Sequence, residues 1–161
     1  MTELTHIVDS VICYDQDGTE RRNPYPPPLS LLPKLKRLTV WDSIHSREGF
    51  EPQVLVFSPI HLIAHFVATS LSLERLILHV GMAPWHINDI AKSDIWGPLV
   101  SLAERPSLEH IELGVVPVVS KKRRRMAGID MISVLMGVPE LKQMCEEGFL
   151  SMERIRRVDY V

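Results

Sequence analysis

One phrase recurs along this chain and limits what it can fold into. Leu73-Glu-Arg-Leu76-Ile-Leu78 is preceded by Leu35-Lys-Arg-Leu38-Thr-Val40 and followed by Leu108-Glu-His-Ile111-Glu-Leu113. A looser copy, Met152-Glu-Arg-Ile155, lies near the C-terminus, and Val8-Asp-Ser-Val11-Ile-Cys13 reads as a degenerate first one. The end of the template L-x-x-L-x-L alternates apolar and polar residues, as a strand with one buried face does. Copies that begin at 35, 73 and 108 stand 38 and 35 residues apart. That spacing is too long for tight hairpins and suits parallel strands joined by crossover helices. The expected fold class is therefore α/β: an irregular leucine-rich-repeat-like stack, with a parallel sheet on one side and crossover helices on the other. A compact doubly wound sheet has the same periodicity and stays open as the alternative.

The elements follow from the same patterning. Strands are expected over 5–14, 35–41, 73–80, 108–115 and 153–160, with Gly81 stopping the third. Asp15-Gln-Asp-Gly18 reads as a turn. Residues 20–33 hold Pro24, Pro26, Pro27, Pro28 and Pro33 and read as an extended connection. Residues 42–52 are polar and read as loop. Ser58-Pro59 has the form of an N-cap with proline in the first turn, opening a helix to about Ser70 with Pro59, Leu62, Ile63, Phe66 and Val67 on one stripe. Asp94 is placed to cap a helix over 95–104, with Ile95, Trp96, Leu99, Val100 and Ala103 buried. Two short helices are expected over 128–136 and 139–148, separated by Gly137 and Pro139, after a basic loop over 117–127.

At 161 residues, 45% hydrophobic and 24% charged, the chain reads as one globular domain over 1–161. Its net charge of -2 argues against a general polyanion binder, although residues 121–161 carry nine basic and six acidic side chains. Cys13 and Cys145 fit neither a disulfide framework nor a metal motif and read as buried free thiols. No secretory signal or membrane-length apolar run is visible, so a cytoplasmic or nuclear protein is expected, with no membrane partner.

The units Leu32-Pro-Lys-Leu-Lys-Arg-Leu-Thr-Val40, Leu71-Ser-Leu-Glu-Arg-Leu-Ile-Leu78 and Pro106-Ser-Leu-Glu-His-Ile-Glu-Leu113 resemble the leucine-rich repeats of F-box-like proteins. They are most similar in character to the long, irregular repeats of basidiomycete fungi. The helix with Trp96 and the ending Leu141-Lys-Gln-Met-Cys-Glu-Glu-Gly148-Phe-Leu share the likeness, which covers roughly 30–161. The resemblance implies a protein-binding repeat module, the substrate-recognition part of a ubiquitin-ligase adaptor. The Asn or Cys expected three positions after each hexad is Ser43, Gly81 and Val116 in this chain, so no asparagine ladder is expected.

The competing class is enzyme. Val11-Ile-Cys-Tyr-Asp15-Gln-Asp17-Gly-Thr19 resembles the first motif of haloacid dehalogenase-like phosphatases. That likeness implies Asp15 as nucleophile and Asp17 as general acid/base beside Mg²⁺. Leu113-Gly-Val-Val-Pro117 offers no carboxylate to complete such a metal site, and the plain reading of Asp15–Gly18 is a turn. His61 and His65 have the i, i+4 spacing of a zinc pair but no third ligand. No cofactor is expected. Lys121, Lys122, Arg123, Arg124 and Arg125 form a basic run with the composition of a nuclear signal; without interleaved aromatics it is a poor nucleic-acid site.

If the leucines point inward, alternate residues point out of the sheet. The first outward position is Arg37, Arg75, His110 and, in the loose copy, Arg154, a basic ladder at the spacing of about 4.8 Å between parallel strands. Glu112 on the next row would neutralise it locally, and Trp41 and His79 stand two rows out. The expected partner is a protein, in the sharper form an acidic or phosphorylated segment gripped by the arginines. The sequence does not settle the oligomeric state.

Overall fold

The structure, a computed structural model, describes residues 3–7, 13–14, 20–21, 35–48, 54–57, 60, 64, 67, 71–118 and 128–155. Five strands form one sheet: β1 (Glu3–Ile7), β4 (Arg37–Ser43), β7 (Arg75–Met82), β8 (His110–Pro117) and β9 (Leu150–Arg154). Every neighbouring pair in it is parallel. Among the described residues spatial order follows chain order, so the sheet is wound in one direction without a switch point. That excludes a doubly wound sheet, in which the strand order reverses. Two small antiparallel ladders stand apart from it, β2 (Cys13–Tyr14) with β3 (Glu20–Arg21) and β5 (His45–Glu48) with β6 (Val54–Phe57).

The hexads lie in register. Leu38 is opposite Leu76 and Leu76 opposite Ile111, while Val40, Leu78 and Leu113 form the next layer. The leading Leu35, Leu73 and Leu108 are buried with them. Neighbouring units are joined the same way each time: Lys36 O accepts from the amides of Glu74 and Arg75, and Glu74 O accepts from those of Glu109 and His110. One side of the sheet is thus sealed, and β4 alternates half-buried and buried residues along its whole length.

Helical segments cover that side. Ile60, Ala64 and Val67 are helical and buried; Pro59, Leu62, Ile63 and Phe66, expected on that helix's apolar stripe, lie outside the described residues. A helix not expected from the sequence, α1 (Ile87–Lys92), follows a 3-10 turn at Pro84–His86 and buries Ile87 and Ile90. The helix expected over 95–104 is three pieces: 3-10 turns at Asp94–Trp96 and Leu102–Glu104 flank α2 (Gly97–Ser101). The Asp94 side chain is no cap; the N-cap is Ser93, without a side-chain bond. Trp96 is buried, with its indole Nε1–H donating to Ile90 O at 3.1 Å. Then come α3 (Met131–Leu135), capped by the Asp130 carboxylate on Ser133 N, and α4 (Pro139–Glu146).

Several boundaries differ from expectation. The first copy of the hexad is not Val8–Cys13. Leu4 stands opposite Leu38, so the equivalent phrase is Met1-Thr-Glu-Leu4-Thr-His6, and pairing to β4 outweighs the richer apolar content that follows. The expected loop over 42–52 holds the end of β4 and all of β5, because Val54-Leu-Val-Phe57 is a strand-forming run that needs a partner. Gly81 does not stop its strand; it lies within β7, paired to Ser43 and Val116.

The last strand starts at Leu150 rather than Glu153. Gly148, at φ 76, ends α4: its amide donates to Cys145 O and that of Phe149 to Met144 O. This left-handed helix end turns the chain directly into the sheet. The equal partners are then Leu150 with Ile111 and Met152 with Leu113.

The position of Leu76 between Leu38 and Ile111 gives a direct test. Leu76→Ala should lose about 2–5 kcal/mol in urea titration. Leu71→Ala, at a side chain 86% exposed, should change stability by no more than about 0.5 kcal/mol.

Candidate functional site

The face opposite the helices is half-exposed and ordered in rows by the parallel register. The first row is Arg37, Arg75 and His110, and it ends there because β9 begins at Leu150, opposite Ile111. Arg154 is therefore not on the ladder. The true offset of β9 differs by five residues from that implied by the loose copy, and an odd slip moves every side chain to the other face. Arg154 pairs with Val115, whose side chain is buried.

The ladder is balanced in place. Arg75 Nη1 lies 3.6 Å from Glu112 Oε1. His110 is held at both ring nitrogens, Nδ1 3.1 Å from Gly148 O and Nε2 3.0 Å from Ser151 Oγ. Nδ1 donates to the carbonyl, which leaves Nε2 to accept from the hydroxyl in the neutral ring. At the rim, Lys36 Nζ donates to Glu74 Oε1 at 2.6 Å, and this carboxylate holds the ammonium above the usual lysine range.

The third row is less polar. Trp41 stands opposite His79, and the rings stack with centroids 4.0 Å apart at 18°. Burial holds the His79 ring below the ordinary imidazole range, against the Glu153 and Glu112 carboxylates that favour its charged form. Its Nδ1 is buried and has no hydrogen-bond partner among the described residues. Beside it, Gly114 supplies no side chain; a Cβ there would fall on Ile155 Cδ1 and 3.1 Å from His79 Nδ1. The Ile155 side chain thus occupies the space above Gly114, with its amide donating to Val115 O at 2.9 Å.

The structure therefore brings Arg37, Arg75, His110, Glu112, Trp41 and His79 onto one face. Sequence reasoning missed the part of Ile155, whose signal was the lone glycine in a strand pattern at Gly114, a mark of close approach. Asp15, Asp17, His61, His65 and the run from Lys121 to Arg125 lie outside the described residues. Among the described residues the strand before Asp15, β2, pairs with β3 and not in the parallel sheet. Cys145 is half-buried, and burial with the adjacent Glu146 raises its thiol pKa, so it is a poor nucleophile. Among the described residues no group of three His, Cys, Asp or Glu side chains is placed to hold a metal ion. No helix among them is long and apolar enough to cross a membrane.

No family model matches the chain, and neither a curated protein nor a solved structure does.

The fit above Gly114 predicts an asymmetry between two glycines. Gly114→Ala must displace Ile155 and should cost about 1–3 kcal/mol in denaturant titration. Gly97→Ala meets nothing within 4 Å and, at the start of a helix, should be neutral or stabilising by up to about 1 kcal/mol.

Proposed function

We propose that this chain is a leucine-rich-repeat-like protein-binding module, serving as the recognition part of an F-box-type ubiquitin-ligase adaptor, and that its outer sheet face receives the partner. The observation that carries the reading is the singly wound parallel sheet with one face sealed and the other presenting aligned polar and aromatic rows. A face built this way holds its side chains at fixed spacing on rigid backbone, which lowers the entropy cost of recognition. The adaptor role rests on the sequence resemblance alone.

The partner is an acidic or phosphorylated segment lying across the first row. Arg75 is engaged by Glu112, but both side chains are substantially exposed, at 49% and 33%. Such a pair is worth no more than about 1 kcal/mol. A phosphate, with about two negative charges and three acceptor oxygens, competes successfully for the guanidinium. Trp41, stacked on His79, offers an adjacent apolar platform.

Capture from acidic-peptide and phosphopeptide libraries tests this. Arg37→Ala/Arg75→Ala should reduce retention about tenfold or more, equivalent to about 1.4 kcal/mol. Glu112→Gln, which releases Arg75, should increase it. Equal retention by wild type and both variants would sink the proposal.

The phosphatase reading has its own assay. Magnesium-dependent release of phosphate from p-nitrophenyl phosphate should be no greater for the wild type than for Asp15→Asn. A clear excess in the wild type would replace the binding module with an enzyme.

A further inference from the structure

The third row of the outer face contains a buried polar atom beside a glycine whose side-chain space a neighbouring residue fills. Three features meet there. The His79 ring is stacked on Trp41 with centroids 4.0 Å apart. Its Nδ1 is buried and has no hydrogen-bond partner among the described residues. The adjacent floor is Gly114, and the space above it is filled by Ile155, whose backbone is tied to β8 through Val115 O.

We propose that His79 and Ile155 form a proton-operated latch on the outer face: a proton on His79 Nδ1 lifts Ile155 from Gly114 and opens a depression beside the Trp41 stack. The argument is one of satisfaction. In the neutral ring Nδ1 can be a bare acceptor, which is tolerable under an apolar cover. Protonation makes it an N–H donor with positive charge, and burying that without an acceptor carries the full desolvation penalty. Trp41 and His79 are fixed within β4 and β7, and Gly114 has nothing to move. Ile155 immediately follows the last strand and is the part able to yield, admitting water to Nδ1.

Among the described residues, the groups facing His79 from the packed strands are few. Trp41 on β4 carries no charge, and on β7 itself Arg75 is engaged with Glu112. Glu112 on β8 and Glu153 on β9 favour the proton, while burial opposes it and prevails. The folded ring consequently takes its proton less readily than the unfolded one. Stability from the closed latch is complete above the ordinary imidazole pKa of about 6.5 and is lost as pH falls through the lower folded value. The latch does not depend on which partner the face binds.

The full chain can be followed by NMR, reading the His79 ring shifts and the exchange protection of the Ile155 amide against pH. Protection, corrected for intrinsic exchange rates, should fall about tenfold or more as the ring titrates. By linkage, Ile155→Ala should move the His79 titration upward by the same factor, about one pH unit for tenfold. His79→Phe keeps an aromatic on Trp41 with nothing to titrate and should make Ile155 protection independent of pH. Constant protection in the wild type through the His79 titration would overturn the latch. So would an unmoved His79 titration in Ile155→Ala, a variant that leaves the stack untouched, or an unchanged loss of protection in His79→Phe.

Discussion

Burial of the second and third apolar positions of each hexad against the same positions of its neighbours is the interaction on which the rest depends. Leu76 touches the Leu38 unit on one side and the Ile111 unit on the other, and all three are sealed from solvent. A single strand has no such partner and cannot bury its own apolar face, so each strand depends on its neighbours and on the helices that cover them. Parallel pairing then forces long connections, and the helical segments in those connections close the buried side. Residues on the opposite face follow with no further freedom, because the period of a strand is two. Burial of leucine therefore places Arg37, Arg75 and His110 on one line and Trp41 beside His79.

This dependence explains what the sequence revealed. Where both neighbours repeat the hexad closely, register, burial and outward residues were all readable, including the Arg75–Glu112 pair. At the sheet edges the pattern thins. β1 carries only Leu4 and His6 at the relevant positions, and a stronger apolar run downstream concealed it. β9 begins where Gly148 turns the helix end into the sheet, a decision made by one backbone angle rather than by hydrophobic period. Helix α1 escaped notice because its apolar residues, Ile87 and Ile90, span less than two turns.

The outer face was legible in its rows but not in its contacts. Side-chain reach across strands is not encoded in period, and the tethers of His110 to Gly148 and Ser151 required β9 to be correctly placed. The error of five residues in β9 sent Arg154 to the wrong face and hid Ile155 from consideration. Correcting it removes the fourth basic rung and sets Glu153 on the row of His79. The face is thus mixed in charge and partly apolar, with Glu112 engaged to Arg75.

The ends of the strands show how neighbouring strands are joined beyond the hexads. Ser43, Gly81 and Val116 lie side by side, so the three positions are structurally equivalent although none has an amide side chain. Buried backbone groups at a strand end still need partners. Here the strands run on instead: Ile44 N donates to Gly81 O at 2.8 Å and Val118 N to Met82 O at 2.9 Å. Each bond lies past the point where the hexad ends, and each joins adjacent units by main chain alone. Main-chain bonds place few demands on residue type, which is why Ser, Gly and Val can occupy equivalent sites. The same extension carries the sheet far enough for Ile155 N to reach Val115 O, and so brings the Ile155 side chain over Gly114.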